Sequence, residues 1–122
     1  MGFSYLQSKV ITIDDGDISD GARVSLSGLP DNMHWFGCNF FWTFGTDDVF
    51  ADVAFYDGPT STSRLLTFDC FGSALSALWN LGAWRYALES DSYMRISDGL
   101  EVEFTFASGS SSGDAIVTVF YQ

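Results

Sequence analysis

Apolar residues recur at every second position in short runs separated by clusters of Gly, Asp, Ser and Pro, which is the period of half-buried β-strands. Residues 22 to 28 set Ala22, Val24 and Leu26 against Arg23, Ser25 and Ser27. Residues 35 to 44 place Phe36, Cys38, Phe40, Trp42 and Phe44 on one side and Trp35, Gly37, Asn39, Phe41 and Thr43 on the other, and the first set is assigned to the core. Residues 100 to 106 set Leu100, Val102, Phe104 and Phe106 against Glu101, Glu103 and Thr105, whose carboxylates are assigned to a solvated face. Residues 8 to 13, 49 to 56, 64 to 71, 83 to 88, 93 to 97 and 115 to 121 read as the remaining strands, with turns at Tyr56-Asp57-Gly58-Pro59 and Asp98-Gly99. One stretch departs from this period. Leu75, Leu78, Trp79 and Leu81 fall at helical spacing between Ser73, a candidate N-cap, and Gly82, which predicts one short helix around residues 74 to 81. Short strands with one helix and no βαβ alternation predict an all-β fold, a two-layer antiparallel β-sandwich of jelly-roll type, in a single domain over residues 1 to 122.

Composition supports an ordered core, because 47% of the 122 residues are hydrophobic and 17% aromatic. Charge changes the picture more. Sixteen carboxylates against five Lys and Arg give a formal charge of −11, and Lys9, Arg23, Arg64, Arg85 and Arg95 are scattered. No basic footprint exists for phosphates, and an anionic membrane surface would repel the chain, so neither nucleic acid nor membrane is an expected partner. No stretch approaches the apolar length of a membrane span, and the opening Met-Gly-Phe-Ser-Tyr-Leu-Gln-Ser-Lys lacks the basic and apolar regions of a secretory signal. Cys38 and Cys70 show no metal or redox spacing, and each sits in an apolar alternation. Two buried free thiols are expected, in keeping with synthesis in a reducing cytoplasm.

Candidate chemistry is sparse. The single histidine, His34, is read as a polar loop residue, and no base stands beside a nucleophile. Asp15, Asp17, Ser19 and Asp20 resemble the start of a calcium loop, but Gly21 comes one residue late and Leu26 stands where a bidentate Glu is required, so a solvated turn is expected. Glu101 and Glu103 share a strand face, yet no acid and base pair stands out for a glycosidase. No catalytic, cofactor or metal site is therefore assigned, and the chain is expected not to be an enzyme. What remains is aromatic: Trp35, Leu78, Trp79, Trp84 and Tyr86 are assigned to an interaction patch, since interfaces favour aromatic anchors.

The segment Ser97-Asp98-Gly99-Leu100-Glu101-Val102-Glu103-Phe104, followed by Asp114-Ala115-Ile116-Val117-Thr118-Val119-Phe120-Tyr121, resembles the end of small virion proteins of tailed bacteriophages. The Tyr56-Asp57-Gly58 turn with Leu65, Leu66 and Phe68 is similar to a mid-chain hairpin of the same proteins. The resemblance implies a non-enzymatic capsid decoration (cement) protein. Such a protein would bind the major capsid protein on the outside of a virion and assemble with its own copies as a homotrimer. A carbohydrate-binding module or receptor-binding tail accessory, with Trp35 or Trp84 stacking on sugar rings, is the alternative. An acidic glycoside hydrolase ranks last.

Overall fold

The computed structural model describes residues 6–43, 49–72, 74–80, 94–108 and 113–122. Its strands are β1 (Gln7–Ile13), β2 (Arg23–Ser25), β3 (Met33–Thr43), β4 (Val49–Asp57), β5 (Arg64–Gly72), β6 (Ala74–Asn80), β7 (Met94–Ile96), β8 (Leu100–Ser108) and β9 (Ala115–Tyr121). They form two antiparallel sheets. The first runs β1-β9-β3-β6, with β7 also pairing β3, and the second runs β2-β8-β4-β5. Strands β1, β3, β6 and β9 thus share one layer and β2, β4, β5 and β8 the other, in the strand order of a jelly roll, and the predicted two-layer sandwich is the observed fold.

The stretch expected as a helix is a strand. β6 pairs antiparallel with β3 from Thr43↔Ala74 to Gly37↔Asn80, setting Leu75, Ala77 and Trp79 opposite Trp42, Phe40 and Cys38. Ala-Leu-Ser-Ala-Leu-Trp-Asn carries a period of two as well as a helical one. The long β3 settles the choice, because its backbone N–H and C=O groups need a second partner along its whole length. The strand expected over 83 to 88 lies outside the described residues.

Sheet faces follow the predicted alternation except at one place in β3. Its register with β9 shifts between Trp35 and Gly37, so one extra residue enters the strand. Trp35 consequently turns inward with Cys38, fully buried, and its indole Nε1 donates to the Gly37 carbonyl at 2.9 Å. Phe36 turns outward instead, and is covered by Phe120 and Leu6 in a small separate cluster. His34 lies within β3 opposite Arg95 of β7, not in a loop.

Between the sheets the core is aromatic. Trp42 meets Phe104 edge-on at 5.0 Å, Phe40 meets Phe104 at 6.3 Å and Phe55 at 6.2 Å, and Trp35 meets Phe55 at 5.3 Å. Each fully buried ring contributes on the order of 3 kcal/mol by area alone, plus a further increment for edge-to-face geometry.

Candidate functional site

The two outer faces of the sandwich differ in charge. On the second sheet, register lines up Asp69, Asp52 and Thr105 in one row across β5, β4 and β8, and Ala54, Glu103 and Arg23 in the next. Arg23 is fixed there. Its guanidinium donates to the carbonyls of Gly58 and Ser61 at 3.2 and 2.8 Å, pairs with Glu103 Oε2 at 3.2 Å, and lies 3.7 Å from the centroid of the Tyr56 ring. Arg64 is hydrogen-bonded to Tyr56. Glu101, expected to be solvated, is only 7% exposed between Ser25 and Tyr56 in register. These groups brace the β4–β5 turn and the outside of β8.

A cleft of about 480 Å³ opens at the other end of this face, lined by Phe50, Asp52, Asp69, Cys70, Thr105 and Phe106 among others. The Asp52 and Asp69 side chains are hydrogen-bonded to each other. Burial, that hydrogen bond and the Asp69 charge push the Asp52 carboxyl up, and the Arg64 charge opposes them.

The outer face of the first sheet has another character. Across β1, β9 and residues 37–43 of β3, register sets Thr12, Ile116 and Phe41 in one row and Val10, Thr118 and Asn39 in the next. Among the described residues this field holds no charged group. Val10 is 63% exposed, Phe41 47% and Ile116 40%. Among the described residues charge lies at its ends, with Asp14 and Asp114 beyond one and Arg95 on β7 at the other, while Lys9 of β1 falls in the opposite phase, in register with the buried Val119. An exposed apolar field without charge is the composition of an interface centre.

One member of the predicted patch is placed against expectation. Trp35 is a core residue, removed from any surface by the β3 bulge, and it cannot stack on a sugar. In register, Leu78 pairs with Asn39 and Trp79 with Cys38. Trp84 and Tyr86 lie outside the described residues. Val10, Phe41 and Ile116 were missed, although the signal was present: the polar sides of β1, β3 and β9 carry Ser, Thr and Asn and no charge. The residues resembling a calcium loop form clamps. Asp20 Oδ1 accepts the Phe106 N–H at 2.8 Å, and Asp114 Oδ1 accepts the Asp15 N–H at 2.8 Å.

No protein-family model matches the chain, and no curated protein matches it at a significant level. Among solved structures the chain is similar to one from Bacillus endospore appendages, described as a family of disulfide-linked pili. That likeness has a TM-score of 0.53 and 13% identity and covers 99% of this chain and 91% of that one. The coat protein of Tobacco streak virus aligns with a TM-score of 0.39 and 11% identity over 92% of this chain and 84% of that one. The first likeness is one of fold.

Proposed function

We propose that this chain is a non-enzymatic structural subunit that assembles through the uncharged outer face of its first sheet, and that its setting is a virion, as a homotrimeric decoration protein on the major capsid protein. The observation that carries the reading is the placement of Val10, Phe41 and Ile116 on a face that holds no charged group among the described residues, in a molecule of formal charge −11. Acidic surfaces repel one another, so copies of this chain approach most easily where the charge is missing. A pilus chain with the same sandwich fold supports a structural role.

Assembly here would be non-covalent, unlike that of the disulfide-linked pili. Cys38 and Cys70 are free and buried, one in each sheet, and burial pushes both thiols up to about 12, which keeps the reactive thiolate scarce.

Light scattering coupled to size exclusion tests the reading. The expected mass is three times the 13.4 kDa chain, and Phe41→Glu or Ile116→Glu is expected to release monomer with an unchanged far-ultraviolet spectrum. A monomer at all concentrations overturns the homotrimer, and an oligomer indifferent to both substitutions overturns the assigned face.

A further inference from the structure

The first sheet ends on β1, which pairs with β9 over all seven residues without a register shift and has no strand on its other side among the described residues. The outward N–H and C=O groups of such an edge are a template for a further strand. The edges of the second sheet are less open to addition, because β2 has only three residues and β5 carries Arg64 and Asp69. On β1 the single charged residue is Lys9. It shares the phase of the buried Ile11 and Ile13 and stands in register with the buried Val119, yet Lys9 itself is exposed. Its side chain reaches the other layer, at the turn after β2: a Cβ built on Gly28 would meet Lys9 Cε at 2.6 Å and Nζ at 2.8 Å. Lys9 thus leaves the inner side of the edge strand and lays its stem across the open side of the sandwich.

We propose that Lys9 guards this edge: it keeps the β1 strand of a second copy from adding to β1, and so leaves self-assembly to other surfaces. Without the lysine the edge is self-complementary. Antiparallel addition of β1 to β1 about a two-fold centred on Val10 sets Val10 opposite Val10 and Ser8 opposite Thr12 on the outer side, with no charge among them. On the inner side the same register sets Lys9 of each copy beside Ile11 of the other. Two ammonium groups would lose water against apolar side chains with no carboxylate opposite, and an unpaired charge is costly to desolvate. Gly28 is the seat of the device, since with φ of +85° and no Cβ it leaves room for the lysine stem. Net charge cannot stand in for Lys9, because in a chain of formal charge −11 the loss of this cation only increases the repulsion between copies.

The test compares Lys9→Thr with Lys9→Arg, both made in the full chain carrying Phe41→Glu, so that the outer face assigned above to assembly is closed in each. Thr is at home on an exposed strand, so the fold is retained, and far-ultraviolet spectra check this. Sedimentation velocity over a concentration series reads association, and hydrogen exchange reads the amides of residues 7–13. Lys9→Thr is expected to self-associate at least about tenfold more tightly than its parent, although its greater negative charge opposes association, and alternate β1 amides are expected to gain protection. Lys9→Arg is expected to behave as the parent. Association of Lys9→Thr no tighter than that of the parent, association without new protection in β1, or equal tightening in Lys9→Arg overturns the proposal. A parent that is still oligomeric with Phe41→Glu overturns the outer-face reading and not this one, which is decided by the difference between Lys9→Thr and that parent.

Discussion

Asp52 shows how a single residue in this fold couples stability to pH. Its carboxyl is pushed up by burial first, then by the hydrogen bond and charge of Asp69 across the β4–β5 pair. A carboxyl whose folded value is raised holds its proton more tightly in the native state than in the unfolded chain. The stability linked to that proton is complete below the ordinary aspartate value of about 3.9 and is lost as pH rises through the raised one. Asp52→Asn removes the group that loses this proton. The variant should therefore match the wild type at the acid end and become more stable than it toward neutrality, by less than about 1 kcal/mol because the carboxylates are in contact with solvent. Urea unfolding at several pH values from 3 to 7 measures this, and a difference between the two proteins that stays constant with pH would show that the pair is not coupled to folding.

At the scale of elements, the turns after β4 and before β8 hold each other. Asp57 accepts the Ser97 N–H at 3.0 Å, the Ser97 hydroxyl at 3.0 Å and the Asp98 N–H at 2.8 Å, while Gly58 N–H donates to the Gly99 carbonyl at 2.7 Å. Gly58 has φ of +94°, and a Cβ built there would come within 2.5 Å of Asp98 Oδ2. Gly58→Ala combines backbone strain with displacement of the Asp98 side chain, so a loss of about 1 to 3 kcal/mol is expected in thermal or urea unfolding. A loss below about 0.5 kcal/mol would mean that the two turns adjust independently. Both turns were legible in the sequence as Tyr-Asp-Gly-Pro and Asp-Gly, as were most of the strands, because alternation and turn chemistry are local. What was not legible depends on pairing. The helical spacing of Leu75 and Leu78 lost to the demand of β3 for a second neighbour, and the bulge that buries Trp35 is visible only once β3 is laid against β9.

The two outer faces of the molecule differ in charge: the outside of the second sheet carries Arg23, Asp52, Arg64, Asp69, Glu101 and Glu103, and the outward field on β1, β9 and residues 37–43 of β3 carries none among the described residues. This division was present in the sequence position by position but became a surface only when the jelly-roll order placed β1, β9 and β3 side by side, which is why tryptophans drew attention first. It also fixes the sign of a salt effect. If copies meet through the uncharged field, the attraction is apolar and the opposing force is repulsion between bodies of formal charge −11. Raising sodium chloride from about 0.01 M to 1 M shortens the screening length from about 30 Å to 3 Å and weakens that repulsion, while the apolar contact is retained. Self-association measured by sedimentation velocity should therefore strengthen with salt. Association built on ion pairs, for instance Arg95 of one copy with Asp14 or Asp114 of another, would weaken over the same range, and that result would move the interface from the centre of the sheet to its charged ends.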